Sequence, residues 1–176
     1  MTTWEWAWAR VQEGELSPAA RLLMLRLGYH GGGLTETVAV CAEYLGLSID
    51  AAHKARSALR QAGLAHGRGR SGHPLTLRLR YGAHAVPYRP TCIRLEWAWE
   101  QVWVHYLSPT AALVLLRIAQ RGYQITTTWS MLAAAVGAGC RSSARVASHL
   151  LERRGIMRIE RPDDDGFTLS LVGAPS

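Results

Sequence analysis

The chain has 176 residues, 48% of them apolar, and a formal net charge of +7 with a pI near 9.9. This length holds one ordinary domain or two small ones, no apolar run approaches the roughly 20 residues of a membrane helix, and MTTWEWAWAR lacks the basic start and long apolar stretch of a secretory signal. The basic balance suits a polyanionic partner, while Cys41, Cys92 and Cys140 lie too far apart for a thiolate zinc site or a disulfide framework and read as free thiols in a reducing cytoplasm.

The first element to place is Glu5–Trp8, EWAW, which recurs as Glu96–Trp99. In a strand Trp6 and Trp8 share a face; in a helix Trp4, Trp8 and Val11 line up instead. A short extended lead-in running into a helical turn is expected. Its aromatic face would be covered by the module's own helices or by the other module. Next, Ser17-Pro18 opens a helix, with Ser17 as N-cap and Pro18 in the first turn. Leu22, Leu23, Leu25 and Leu27 suit a largely buried element ending at Gly31. A short strand at Leu34-Thr35, a helix over 37–46 and another from Ser48 to Gly63 follow. Two β-like stretches around a Gly-rich tip, LAHGRGRSGHPLTLRLR, close the segment.

The same series then repeats. Shifting the chain by 91 residues aligns Glu5–Gly46 with Glu96–Gly137 without a gap, and 17 of the 42 pairs are identical. They include both Leu-Ser-Pro triplets (16–18, 107–109), Arg26/Arg117 and Thr35/Thr126. One inserted residue changes the offset to 92, which brings Leu59 onto Leu151 and LTLRL (75–79) onto FTLSL (167–171). The halves read as duplicates of one module. The expected division is module one at 1–82, a linker at 83–92 (AHAVPYRPTC, with two prolines) and module two at 93–176. The expected class is mainly α with small β-hairpins, α+β.

Helix, helix, short turn, helix and β-hairpin is the winged helix-turn-helix plan. The stretch LGLSIDAAHKARSALRQAGL (45–64) resembles the helix-turn-helix core of bacterial, phage and plasmid winged-helix proteins. There Ala52 stands where the family usually has Val, and Arg56 where it usually has Leu. The opening WAW…LSP also resembles the start of helix-turn-helix domains in phage and plasmid replication or regulatory proteins. The resemblance implies that the third helix of each module enters the major groove of DNA while the wing touches the backbone or the minor groove.

On that reading the DNA-facing residues of module one are Asp50, His53, Lys54, Ser57 and Arg60, with Ala52, Ala55, Ala58 and Leu59 turned inward. In module two Arg141, Arg145 and His149 share a helix face by their four-residue spacing, and Ser142 lies beside them. Ala144, Ala147, Leu150 and Leu151 turn inward. Arg141 and Arg145 suit guanine, because a guanidinium grips O6 and N7 together. Arg68 and Arg70 make the first wing tip cationic and suited to phosphate or to a narrow minor groove. The second tip, Arg161-Pro162-Asp163-Asp164-Asp165, carries three carboxylates that repel phosphate, so it is expected to point away from DNA or to touch protein. Residues 1–91 hold eleven Lys or Arg against six Asp or Glu, net +5, whereas 92–176 hold nine against seven, net +2. The first module is therefore the stronger phosphate binder.

No phosphate-binding Gly loop, HExxH, GxSxG or paired-Cys spacing occurs, and the seven His are scattered. No enzyme activity, cofactor or metal is expected. The leading expectation is a cytoplasmic, nucleoid-associated binder of specific double-stranded DNA sequences, serving transcription control or replication. Two alternatives stand beside it. One is a protein–protein adaptor, with a homodimer or protein partner engaged through module two. The other is single-stranded nucleic-acid binding through the Trp residues.

Overall fold

The computed structural model describes residues 1–13, 15–68, 74–81, 85–163 and 166–175, without the side chains of Arg68, Leu75 and residues 161–163. The chain divides into two compact units, Met1–Thr91 and Cys92–Ser176. The first holds α1 (Thr3–Glu13), α2 (Pro18–Tyr29), β1 (Gly33–Glu36), α3 (Val38–Tyr44), α4 (Ile49–Gln61), β2 (Ala65–Arg68) and β3 (Leu75–Leu79). The second holds α5 (Ile93–Val104), α6 (Pro109–Arg121), β4 (Gln124–Thr127), α7 (Trp129–Ala135), α8 (Arg141–Arg153), β5 (Met157–Asp163) and β6 (Gly166–Leu171). Among the described residues the class is α+β, with eight helices and two antiparallel three-stranded sheets ordered β1-β3-β2 and β4-β6-β5.

Local chemistry explains the boundaries. Ser17 and Ser108 accept hydrogen bonds from the backbone N–H of Ala20 and Ala111 at 3.3 and 3.4 Å, ahead of Pro18 and Pro109. Each thereby satisfies an orphan donor of a helix start. Thr37 and Thr128 cap α3 and α7 in the same way, both at 3.2 Å, and Ser48 caps α4 at 3.2 Å. Gly46 and Gly137 sit at φ 62° and 65°. That left-handed conformation lets the chain leave α3 and α7 and turn into the next helix, and a Cβ disfavours it.

α2 and α6 carry the cores. Leu22, Leu23, Met24, Leu25 and Leu27, and likewise Leu113–Leu116 and Ile118, are all buried. Burying one such side chain contributes about 1.5–3 kcal/mol. α3 and α4 pack together and α4 crosses α2; α7, α8 and α6 repeat the arrangement. The short strands β1 and β4 pair with β3 and β6, and the pairs Thr35–Thr76 and Thr126–Thr168 bond across them at 3.2 and 3.0 Å.

Two expectations are corrected. The EWAW segments are helical throughout, within α1 and α5. The cause at α1 is a reciprocal cap: Thr2 N–H donates to Glu5 Oε2 at 2.7 Å and Glu5 N–H donates to Thr2 Oγ1 at 3.2 Å. Trp4, Trp6, Trp8 and Val11 are all buried, and α1 packs on α2. A Cβ on Gly28 would stand 2.8 Å from Thr3 O and 2.9 Å from the Ala7 Cβ, so this crossing depends on glycine. In α5 the corresponding Trp97 and Trp99 are only half-buried, and Trp103 is exposed.

The second correction concerns 83–92, expected to be a linker. Residues 82–84 lie outside the described residues. From Ala85 to Thr91 the chain belongs to the first unit. Thr3 N–H donates to Val86 O at 2.9 Å and Val86 N–H to Met1 O at 3.1 Å. Tyr88 N–H donates to Thr3 Oγ1 at 2.9 Å, and the Tyr88 ring sits 6.0 Å from Trp4 and 5.7 Å from Tyr29. Backbone donors at 86 and 88 needed partners, and the start of α1 supplies them.

Candidate nucleic-acid interface

Helix α4 presents two faces. Ala52, Ala55 and Leu59 are buried, and Ala58 is half-buried rather than fully inward. Asp50, His53, Lys54, Ser57 and Arg60 are all exposed, at 3–4-residue spacings that keep them on the outer side. Lys54 Nζ lies 3.5 Å from Asp50 Oδ2. Ile49, at the first helical position, is 55% exposed, an apolar contact point that sequence reasoning passed over.

Helix α8 repeats the division with different chemistry. Ala144, Ala147, Ser148 and Leu151 are buried, Ser148 bonding back to Ala144 O at 2.9 Å, while Leu150 is half-buried. Arg141, Ser142 and Arg145 are exposed. His149 departs from expectation: it is half-buried, its Nδ1 lies 3.1 Å from Glu152 Oε2, and its ring is 5.9 Å from Trp129. Its position on the Arg145 side is as read, but its polar edge is engaged within the unit. Val146 is 66% exposed beside Arg145.

Cys140 precedes α8. Its Sγ lies 2.9 Å from Ser142 Oγ and 3.2 Å from Ser143 Oγ. Hydrogen bonds from Ser142 and then Ser143 stabilise the thiolate and bring the thiol pKa down to about 7. Cys41 behaves oppositely. Burial, then the negative charge of Glu36, pushes its thiol up to about 12.

The first unit also contains an open cleft of about 480 Å³ between the C-terminal half of α4 and the sheet. Ser57, Arg60 and Gln61 line it from α4, His66 from β2, and Arg80 from just beyond β3. Arg78 stands opposite His66 in the β2–β3 register, on the exposed side. His66, Arg78 and Arg80 were absent from the sequence-based set. Their signal was the alternation of LTLRLR: Leu77 and Leu79 are buried, so Arg78 and Arg80 face outward. Arg68 ends β2 with its side chain outside the described residues, and Arg70 lies wholly outside them, as do Asp164 and Asp165 of the second tip.

The arrangement brings together cations and hydrogen-bond donors suited to phosphate oxygens, next to a helix that presents polar side chains. Among the described residues no three His, Cys, Asp or Glu are grouped to hold a metal ion, and no helix is long and apolar enough to cross a membrane. The chain matches no protein-family model, no curated protein and no solved structure.

Proposed function

We propose that this protein binds specific sequences in double-stranded DNA through two tandem winged helix-turn-helix modules that arose by internal duplication. On this reading α3–α4 and α7–α8 are the helix-turn-helix pairs, β2–β3 and β5–β6 the wings, and α4 and α8 lie in the major groove. The duplication is supported by the 17 identities in 42 aligned pairs and by the same element order and sheet order in both units. Matching caps at Ser17/Ser108 and Thr37/Thr128 add to it.

The observation that carries the DNA reading is the exposed polar and cationic side of α4, continuous with the Arg60–His66–Arg80 cleft. A helix of this width fits the B-DNA major groove, and a cationic cleft beside it suits the flanking phosphates. The biological role is control of transcription or replication in the cytoplasm, on the nucleoid. Selection of bound fragments from a random duplex pool at physiological salt tests it: a defined motif is expected. Uniform weak binding of all fragments would remove the sequence-specific reading. The second reading, a protein adaptor, is favoured by the exposed Trp103, Val104 and Tyr106 at the end of α5. An adaptor would show little salt-dependent affinity for any duplex.

A further inference from the structure

The two units place different side chains at the same positions. The 92-residue offset lays Ile49–Gln61 of α4 onto Arg141–Arg153 of α8, both 13 residues long. Sheet registers preserve the correspondence, because His66 opposes Arg78 just as Arg158 opposes Ser170. Arg80 N–H donates to Leu64 O as Val172 N–H does to Ile156 O.

At these matched positions the cationic pattern of the first unit's cleft changes in the second: an exposed Arg153 stands in place of Gln61, but both cleft arginines, Arg60 and Arg80, are lost. Arg60 is replaced by Glu152, whose carboxylate accepts from Ile159 N–H at 3.2 Å and faces His149 at 3.1 Å. Arg80 is replaced by Val172, which is 46% exposed, and Arg78 by Ser170. Arg158, which takes the place of His66, has Glu160 Oε1 3.7 Å away. A carboxylate where the first unit has a guanidinium repels a phosphate.

The groove-facing first turns differ in the opposite sense. The first unit offers Ile49, and Lys54 with Asp50 at 3.5 Å; it has no arginine there. The second offers Arg141 in place of Ile49 and Arg145 in place of His53, both exposed. Four residues along a helix is about 6 Å of rise, close to two base-pair steps at roughly 3.4 Å each. Two guanidinium forks at that separation match two guanines about two steps apart. The exposed Val146 beside them suits a thymine methyl group.

We infer that the two units divide the work on DNA: the first anchors the duplex through phosphates held by Arg60, His66 and Arg80, and the second reads guanines through Arg141 and Arg145. The consequence is a non-palindromic target in which the half under α8 carries the guanines. This rests on the DNA reading above, and the test separates the two.

The full chain is titrated, by fluorescence anisotropy, with the duplex selected from a random pool and with a scrambled version, between about 50 and 200 mM salt. The anchoring variant, Arg60→Gln with Arg80→Gln, weakens both duplexes by the same factor and lowers the log–log salt slope by about 1.8. The reading variant, Arg141→Gln with Arg145→Gln, weakens the selected duplex by roughly 5- to 150-fold per arginine and brings it down to the scrambled one. All four side chains are exposed, so melting temperatures stay at the wild-type value. Arg60→Lys with Arg80→Lys, which keeps the charge, retains the wild-type slope. An anchoring variant that lost selectivity, or a reading variant that weakened both duplexes alike, would overturn the division of labour while leaving DNA binding intact. Wild-type protein without salt-dependent affinity for any duplex would overturn the DNA reading itself.

Discussion

Replacing Glu36 with Gln probes how the α3–α4 pair is fastened to the core. Glu36 closes β1 immediately before the α3 cap Thr37. Its carboxylate accepts from Arg26 Nη2 at 3.0 Å and Arg26 Nε at 3.3 Å, a two-point fork with side chains only 10% and 16% exposed. Arg26 also lies over the Tyr44 ring at 4.4 Å. The ion pair therefore ties α2, β1 and α3 at one place. Removing one partner of a fully buried pair costs about 3–5 kcal/mol, because the remaining charge is left uncompensated. Here Tyr44 retains part of the guanidinium's stabilisation, about 0.5–1 kcal/mol, and slight exposure admits some water. We expect a loss of about 2–3 kcal/mol for E36Q. For a unit of 91 residues that corresponds to a fall of roughly 8–24 °C in its Tm. Urea unfolding gives the free energy, and the double variant R26M/E36Q should recover most of it, since it buries no lone charge. A cost below about 0.5 kcal/mol for E36Q would place the pair with ordinary surface ion pairs and refute the reasoning.

Other predictions follow from single contacts. Alkylation of Cys140 should rise steeply from pH 6 to pH 8, since the thiolate reacts and this thiol titrates near 7, whereas Cys41 in the folded chain stays unreactive past pH 9; peptide mapping after iodoacetamide reads both. Equal labelling of the two at neutral pH would contradict this. Thr3→Val keeps the shape but removes the hydroxyl that donates to Gly28 O at 2.8 Å and accepts from Tyr88 N–H. It should cost about 1–3 kcal/mol in denaturant and raise amide exchange at Tyr88; unchanged exchange would mean the strap is not held there. Gly46→Ala forces a Cβ into a φ of 62° and should cost about 1–2 kcal/mol of stability in urea, whereas a neutral result would show that the turn relaxes freely.

What could be read from the sequence was local. Ser17, Ser108 and Ser48 announced their helices by position, and the leucine-rich runs after Pro18 and Pro109 announced buried ones. The exposed and buried sides of α4 followed from 3.6-residue spacing. What was misread depended on which signal won. Tryptophan alternation in EWAW favoured an extended lead-in before the helical turn, yet Thr2 and Glu5, three residues apart, already spelled a reciprocal helix cap. The prolines at 87 and 90 suggested a linker. The bonds that instead hold Val86 to Met1 and Thr3 join residues more than 80 positions apart, and no local pattern reports them. The cleft was hidden for the same reason. Arg60 lies on a helix and Arg80 beyond a strand, and only the packing of α4 against β2 brings them to one place. His149 lies on the Arg145 side of α8, as four-residue spacing implies, but its engagement with Glu152 and Trp129 depends on side-chain directions that spacing does not supply.

The central claim is that duplex DNA lies along α4 and α8 rather than on the aromatic helices α1 and α5. Amide chemical-shift mapping of the full chain, with a selected duplex added stepwise at physiological salt, tests it most directly. The predicted result is that perturbations concentrate at His53, Ser57, Arg60, His66 and Arg80 in the first unit and at Arg141, Ser142 and Arg145 in the second. Perturbations centred on Trp97, Trp103 and Tyr106, with α4 and α8 unmoved, would contradict it.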